Sequence, residues 1–178
     1  MSSLYVVPIK LSKDLLLPPL RERILNTFHI ETKIGAFSID PSSGYDSSRN
    51  QYNSSALLAE LIATQPKDTL RILGVADLDL FVPVLTFVFG EAQLNGPAAV
   101  VSIHRLKNQF YGLPKDERLL QERLEKEAIH ELGHTFGLLH CRDDSCVMSA
   151  STYVENIDLK SDRFCFSCSK ILNGRKDP

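Results

Sequence analysis

Residues 130–140 constrain the fold more than any other part of the chain. They read HELGHTFGLLH, a cysteine follows at once, and they hold three of the chain's five histidines. His130 and His134 are four residues apart, so a helix presents both imidazoles on one face, about one turn apart. Gly137 suits a left-handed stop, after which the chain can reverse and bring His140 to the same metal. Three neutral imidazoles on a tetrahedral ion leave the fourth position for water, which is the layout of a catalytic zinc site.

Glu131 follows the first histidine and completes the HExxH pattern of zinc-dependent peptide-bond hydrolases. From this position its carboxylate can take a proton from the zinc's water and pass it to the leaving amine. Zinc lowers the pKa of that water towards about 7, so hydroxide is available at neutral pH. The alternative is a solvated glutamate on the outer face of a helix, which is the ordinary position of this residue type.

The four cysteines form a second candidate metal site. All lie in the last quarter of the chain, as Cys141, Cys146, Cys165 and Cys168. Their C-x4-C and C-x2-C spacing suits a closed site of four thiolates, whose role is structural because no position is left for water. Such a site contributes on the order of 10 kcal/mol to folding. The alternative is disulfide pairing, which a reducing cytosol disfavours.

Length and composition indicate one globular domain. The chain has 178 residues, of which 43% are hydrophobic and 24% charged, ordinary values for a soluble protein. The net charge of −2 argues against nucleic acid as a partner, because phosphate binding usually requires a basic excess. The start, MSSLYVVPIK, lacks the features of a signal peptide, and the apolar residues 81–89 are too few to cross a bilayer. We therefore expect a cytoplasmic monomer that does not bind membranes.

Strand-like and helix-like segments alternate over the first two thirds of the chain. We predict strands at residues 4–9, 30–39, 70–75, 85–89 and 98–103. We predict helices at residues 15–28, starting at Pro18-Pro19, at residues 55–62, and at residues 115–136, which carry the first two histidines. Residues 40–55 are rich in Ser, Asn and Gly and predict an exposed, mobile loop. Strands separated by helices are typical of an α/β fold with a mixed, mostly parallel sheet whose faces are covered.

The pattern HExxHxxGxxHCx4CxM…CxxC in residues 130–168 closely resembles the archaemetzincins, a branch of the metzincin zinc peptidases. The resemblance extends over the whole chain, through RNQYNSSALL (49–58), DLDLFVP (77–83), FVFGEA (87–92) and HRL…FYG (104–112). Between Met148 and Cys165 the chain is one residue shorter than the family pattern.

The resemblance implies a compact metzincin fold, with a twisted mixed sheet, a long active-site helix and a small zinc-stapled C-terminal subdomain. The expected division is at Gly137, into residues 1–137 and 138–178. Two zinc ions per chain are implied, a catalytic one on His130, His134 and His140 and a structural one on Cys141, Cys146, Cys165 and Cys168. Glu131 would be the general base. Met148 would form the apolar floor beneath the catalytic zinc, where the alternative is an ordinary core methionine.

Two further expectations concern the substrate. A metzincin binds an extended peptide along an edge strand of its sheet. The candidate here consists of Thr86, Phe87, Val88, Phe89 and Gly90. A fully buried strand is the alternative, because this run is apolar. Tyr153 could stabilise the oxyanion, as tyrosines after the methionine turn do in some metzincins, although packing at a surface is the commoner role.

Two functions of different classes fit these patterns. One is a zinc metalloprotease that cleaves peptides or small proteins. The other is a zinc-ribbon-type binding module with a vestigial catalytic site, for which the modest basic run of Lys160, Arg163, Lys170, Arg175 and Lys176 would be the contact surface. Such charges are more typical of a solvated face. A disulfide-stabilised protein with one metal is a third possibility. The resemblance favours the protease and leaves the substrate open.

Overall fold

A five-stranded sheet forms the centre of the computed structural model, which describes residues 2–12 and 14–176. In spatial order its strands are β2 (Thr32–Ile34), β1 (Ser3–Ile9), β5 (Thr69–Ala76), β8 (Ala98–Ser102) and β7 (Gly90–Ala92). The first four run parallel, and β7 pairs antiparallel with β8 at the edge. The predicted mixed, mostly parallel sheet is thus confirmed.

Within the described residues the α-helices that accompany this sheet are α1 (Leu17–Phe28), α2 (Ser54–Thr64), α3 (Glu117–Thr135), α4 (Val154–Leu159) and α5 (Phe166–Lys176). Helices α1 and α3 cover one face of the sheet, and α2 covers the other. Strand β8 shows why both faces need cover. Its Ala99 and Val101 are buried on the side of α1 and α3, whereas Ala98 and Val100 are buried on the side of α2. A strand that is apolar on both faces is typical of a parallel sheet between two helical layers.

Residues 40–55 do not form the predicted loop. They contain β3 (Tyr45–Asp46) and β4 (Gln51–Asn53), which pair antiparallel, and β4 pairs parallel with β6 (Leu80–Phe81) in a small second sheet. Across the hairpin the rings of Tyr45 and Tyr52 lie 5.1 Å apart. The Ser, Asp and Asn residues make the turn itself, in which Asp46 Oδ1 accepts hydrogen bonds from the backbone N–H groups of Ser48 and Arg49.

Two predicted strands differ from the structure. The strand predicted at residues 30–39 is reduced to β2, Thr32–Ile34. The strand predicted at residues 85–89 is wrong, because these residues are irregular apart from a single bridge between Val88 and Leu80. The edge strand begins at Gly90, where the predicted one ended. Apolar residues with high strand propensity are held there in another conformation by side chains of the β3–β4 hairpin, described below.

Helix α3 has defined ends. It begins at Glu117 rather than at the predicted Lys115, because the side chain of Asp116 caps it by accepting from the N–H of Leu119 at 2.9 Å. At its other end Gly137 has φ 83°. The N–H of Gly137 donates to the carbonyl of His134, and the N–H of Leu138 donates to that of Gly133. This is a Schellman motif, as the glycine predicted.

The chain after Gly137 contains α4 and α5, neither of which was predicted. Its Leu138, Val147, Ile157 and Leu172 are buried in the same apolar cluster as α1 and α3. Helix α4 is fixed to α3 by the Arg123 guanidinium, whose two bonds to the Asp158 carboxylate are both 2.7 Å. None of the described helices is long and apolar enough to cross a membrane.

Candidate active site

The end of α3 and the turn after it bring three imidazoles together. The ligand atoms of His130, His134 and His140 all lie within 4.8 Å of one another. His130 is buried, His134 is half-buried and His140 is exposed. The helix supplies the first two from one face, and the Schellman turn at Gly137 reverses the chain so that His140 joins them. The structure therefore brings together the three histidines that the sequence analysis predicted as metal ligands, and their role as ligands stays a prediction.

Hydrogen bonds orient two of the rings. His130 Nδ1 lies 2.9 Å from the carbonyl oxygen of Val147, and His134 Nδ1 lies 2.7 Å from that of Leu138. A carbonyl oxygen cannot donate, so each Nδ1 carries the hydrogen and each Nε2 presents a lone pair. Such second-sphere bonds are typical of metal-binding histidines.

The two Nε2 atoms face each other at 3.1 Å. Two nitrogen ligands of one tetrahedral zinc are separated by about 3.3 Å, given zinc–nitrogen bonds of 2.0–2.1 Å. Two lone pairs at the observed distance repel each other unless a cation lies between them. The donor set of His130, His134 and His140 therefore fits a zinc ion.

The surroundings favour neutral imidazoles, which is the form that binds a metal. Burial lowers the pKa of His130 well below its ordinary value, and the positive charge of Lys160 acts in the same direction. Burial also lowers the pKa of His134 and that of the more exposed His140. Protons thus compete less for these nitrogens than for those of a solvated histidine.

Glu131 is buried beside this cluster, against the expectation of a solvated face for an ordinary helix glutamate. Burial raises the pKa of its carboxyl group well above the ordinary value, with the negative charge of Glu127 as the second cause. A Cβ atom at Gly90, the first residue of β7, would lie 2.8 Å from Glu131 Oε1 and 2.6 Å from the carbonyl oxygen of Val100. The absent side chain at Gly90 therefore leaves the space that the Glu131 carboxylate occupies.

A cleft of about 550 Å³ contains both the imidazoles and Glu131. One wall consists of residues 85–92 with Leu94. The floor consists of Glu127, His130, Glu131 and His134 from α3, and the remaining lining residues are Leu139, His140 and residues 150–152. Leu85, Leu94 and Leu139 are exposed apolar residues within it, so the cleft has an apolar mouth over a polar, titratable floor.

Met148 is buried beneath the helix that carries the histidines. It lies in a tight turn, closed by the N–H of Ser149 donating to the carbonyl of Cys146 at 2.9 Å. A Cβ atom at Gly133 would lie 2.5 Å from Met148 Sδ, so the glycine in the HELGH motif lets the methionine pack directly against the helix backbone. The sequence predicted the methionine turn and left the reason for Gly133 unexplained.

The four cysteines also converge. The sulfurs of Cys141, Cys146, Cys165 and Cys168 lie within 4.8 Å of one another, and all four thiols are free. The sulfurs of Cys141 and Cys165 are 3.8 Å apart, far beyond a disulfide bond of about 2.05 Å. Two sulfur ligands of a tetrahedral zinc lie about 3.8 Å apart, given zinc–sulfur bonds of 2.3 Å. Cys146 Sγ also accepts from the N–H groups of Met148 and Cys165, which suits a thiolate.

One short turn connects the two clusters. The carbonyl of Val147 accepts from His130, and the carbonyl of Met148 accepts from the N–H of Cys141 at 2.9 Å. Cys146, the first residue of this turn, belongs to the cysteine cluster. The two clusters are therefore connected through two hydrogen bonds and one turn.

A buried ion pair beside the cleft was missed by the sequence analysis. Lys160 Nζ lies 2.8 Å from Glu127 Oε1, and both side chains are almost fully buried, with exposures of 1% and 4%. The same ammonium donates to the carbonyl of Ser149 at 3.1 Å. Lys160 was expected on a solvated basic face, and that expectation is wrong. The only available signal was the position of Glu127, one helical turn before Glu131 and on the same side.

The two predictions about substrate contacts have different outcomes. Thr86, Phe87, Val88 and Phe89 line the cleft, as does Gly90, yet only Gly90 lies in a strand. Tyr153 is 65% exposed, caps the start of α4, and is not among the residues lining the cleft. The segment that lines the cleft after the methionine turn is instead residues 150–152.

Comparison with known proteins gives a consistent result. The model of peptidase family M54 matches residues 28–174. An archaemetzincin from Methanocaldococcus jannaschii is 44% identical over 135 residues, which cover 76% of this chain and 73% of that protein. The crystal structure of an archaemetzincin from Methanopyrus kandleri superimposes with a TM-score of 0.87 at 34% identity and covers 99% of this chain and 97% of its own. A zinc-dependent peptidase from Methanocorpusculum labreanum gives a TM-score of 0.88 at 31% identity, covering 96% and 100%.

Proposed function

Since the chain belongs to peptidase family M54, the archaemetzincins, and is a zinc metallopeptidase, we propose that Glu131 and the three histidines hydrolyse peptide bonds in its cleft. The observation that carries this proposal is the position of the Glu131 carboxylate. It follows His130 directly, lines the same cleft as all three imidazoles, and is buried. A structural zinc site has no use for a buried carboxylate at that place.

His130, His134 and His140 would hold the catalytic zinc through nitrogens whose orientation is set by backbone carbonyls. When bound there, zinc supplies Lewis acidity for activating water and polarising the scissile carbonyl. Glu131 takes a proton from the attacking water and passes it to the leaving amine.

The four cysteines would hold a second zinc with a structural role. Their closed arrangement leaves no ligand position for water, so this site contributes stability instead of chemistry. We assign residues 138–178 to a subdomain that this zinc would fix to α3, with the boundary at Gly137. Met148 would then be the apolar floor of the catalytic site, fixed from one side by Gly133 and from the other by the cysteine cluster.

The substrate of a peptidase is a peptide, and the cleft suits an extended one. Its volume of about 550 Å³ is in the usual range for ligand sites, and the antiparallel edge strand β7 lies along it. The alternative of a zinc-ribbon binding module has less support. Lys160, the first member of the basic run on which that alternative rested, is buried in an ion pair and cannot contact a partner.

The variant Glu131→Gln tests the mechanism, because glutamine keeps the shape of the side chain and cannot accept the proton. We expect peptide hydrolysis to fall by about 10²–10⁴-fold, with zinc content unchanged by elemental analysis. Glu122→Gln is the matched control, since Glu122 is exposed on the same helix. Hydrolysis by Glu131→Gln at the wild-type rate would remove Glu131 from the mechanism.

A further inference from the structure

The cleft wall at residues 85–89, hereafter the wall segment, has almost no backbone pairing of its own. Its ladder contacts are the N–H of Val88, which donates to Leu80 at 2.9 Å, and the carbonyl of Phe89, which accepts from Ser102 at 2.8 Å. Residues 83 and 84 before it form a turn, in which the N–H of Leu85 donates to the carbonyl of Val82 at 3.0 Å. A wall that lines a cleft without a sheet behind it needs another support.

That support comes from two side chains of the β3–β4 hairpin, Arg49 in its turn and Gln51 at the start of β4. Arg49 Nη2 donates to the carbonyl of Leu85 at 2.8 Å and to that of Thr86 at 3.2 Å. Gln51 Nε2 donates to the same Thr86 carbonyl at 3.0 Å. Neither Arg49 nor Gln51 lines the cleft, so these bonds hold the wall segment from its outer side. They replace the hydrogen bonds that a neighbouring strand would make.

The two donors are themselves fixed by a continuous network. Arg49 Nε donates to Gln51 Oε1 at 3.0 Å, and Gln51 donates to Asp79 Oδ2 at 3.1 Å. The Asp79 carboxylate accepts two further bonds from Arg105, at 2.6 and 2.8 Å. The Arg105 guanidinium in turn lies 4.2 Å from the ring centroid of Phe87, a wall residue. The network therefore starts and ends on the wall segment.

This network joins the four sequence segments 49–58, 77–83, 87–92 and 104–112, which contain no residue with a proposed role in catalysis. Residues 49–58 supply Arg49 and Gln51, residues 77–83 supply Asp79, residues 87–92 supply Phe87, and residues 104–112 supply Arg105. None of these four polar side chains contacts an imidazole or Glu131. Their shared structural consequence is the position of one wall of the cleft that Leu139 and His140 also line.

Resting on the peptidase function proposed above, we propose that Arg49 and Gln51 are positioning residues for substrate binding. Held by Asp79 and Arg105, they set the position of the wall segment and so the width of the cleft that accepts an extended peptide. They act on the affinity for the peptide and leave the chemistry at Glu131 unchanged.

The test uses Arg49→Met, which removes the donors and keeps an unbranched apolar stem over Phe81, whose ring lies 4.1 Å from the guanidinium. With oxidised insulin B chain as the substrate, we expect KM to rise at least tenfold while kcat stays within threefold of wild type. Arg49→Lys, which keeps a cationic donor, should recover much of the lost affinity. The matched control is Arg23→Met, because Arg23 also holds a loop carbonyl, that of Asp162, outside the cleft. Zinc content and Tm are measured for each variant.

A second measurement separates this proposal from the proposed function. Fluorescein-labelled B chain is titrated against Glu131→Gln and against Glu131→Gln/Arg49→Met, and Kd is read by anisotropy. A Kd at least tenfold higher for the double variant supports the wall proposal even if wild type proves unable to cleave the peptide. If wild type cleaves the peptide and Arg49→Met changes neither KM nor Kd, the wall proposal is overturned and the peptidase function is retained. The same holds if Arg49→Met lowers kcat alone. Neither binding nor cleavage by any of the proteins overturns both.

Discussion

The histidine cluster and the cysteine cluster both gather ligand atoms within 4.8 Å, yet they differ in access. Burial in the histidine cluster decreases from His130 to the exposed His140, and all three residues line a cleft. In the cysteine cluster two residues are buried and two half-buried, and none lines that cleft. Ligand proximity alone therefore does not separate the two proposed roles. The exposed side of the histidine cluster and the buried carboxylate of Glu131 are what support a catalytic role for the histidines.

The two clusters also differ in the charges around them. Beside the histidines lie two buried carboxylates, Glu127 and Glu131, and one buried ammonium, Lys160. Around the cysteines the observed partners are backbone N–H groups, such as those that donate to Cys146. Fixed dipoles suffice to stabilise a closed metal–thiolate site, while a reacting site requires groups that can exchange or balance charge.

Loss of the closed site, the cluster of Cys141, Cys146, Cys165 and Cys168, should have the largest effect on folding. Cys168→Ser removes a buried ligand, and a four-thiolate zinc contributes on the order of 10 kcal/mol to folding. That figure is comparable with the whole stability of a domain, about 5–15 kcal/mol. We expect this variant to be largely unfolded by circular dichroism, with less than one zinc per chain.

The matched variant is in the open site, the cluster of His130, His134 and His140. It is His140→Ala, which removes the exposed ligand. It should lose one zinc and all hydrolysis while keeping a cooperative thermal transition close to that of wild type. Equal losses of stability for Cys168→Ser and His140→Ala would show that the two clusters do not divide structure and catalysis as proposed.

Lys160→Met should have the next largest effect, because it leaves Glu127 as a buried carboxylate without its cation. Removal of one partner of a buried ion pair costs about 3–5 kcal/mol. Urea unfolding measures this cost, and Lys160→Met/Glu127→Gln should recover part of it by neutralising the remaining charge. Lys126→Met is the control, since Lys126 also bonds a backbone carbonyl of α4, that of Ile157, but is only half-buried. A double variant no more stable than Lys160→Met would show that the charge balance is unimportant.

Gly133→Ala should destabilise less, by about 1–3 kcal/mol through overpacking. The new Cβ would lie 2.5 Å from Met148 Sδ, so the methionine turn must shift, and with it the carbonyl of Val147 that orients His130. We expect a lower Tm and a lower kcat. Gly174→Ala in α5 is the control, because a Cβ there has nothing within 4 Å. If Gly133→Ala lowers Tm as much in a Met148→Ala background as it does in the wild-type background, the contact is not the cause.

The histidine cluster was predictable from sequence because its spacing is local. The cysteine cluster was predictable because its two short-range pairs have the spacing of zinc ligands. Helical periodicity places His130 and His134 together, and Gly137 predicts the turn that returns His140. The wall segment was mispredicted for the opposite reason. Its apolar sequence favours a strand, and the Arg49 and Gln51 side chains that hold it otherwise come from more than thirty residues away. Lys160 was mispredicted likewise, since its partner Glu127 is a tertiary contact between α3 and the end of α4.

The smallest expected effect is a pH dependence of Tm that arises from the histidine cluster. Phenanthroline should remove zinc from the histidines and leave the closed site loaded, which elemental analysis checks as one zinc per chain. In that protein the pKa of His130 is well below 6.5, the ordinary value that it regains on unfolding. At this histidine the unfolded state therefore binds more protons than the folded state below pH 6.5, so its contribution to stability should be constant above this pH and fall as the pH is lowered further. The raised pKa of Glu131 acts in the opposite direction, so the Tm profile is measured in a Glu131→Gln background.

The choice of histidine sharpens this last prediction. Burial lowers the pKa of His130 well below its ordinary value, whereas that of the exposed His140 is lowered without being shifted as far. His130→Gln should therefore flatten the acid limb of the Tm profile more than His140→Gln does. If Tm falls equally at low pH in both variants, the pH dependence belongs to other groups. The difference in burial between His130 and His140 would then have no effect on the pH dependence of stability.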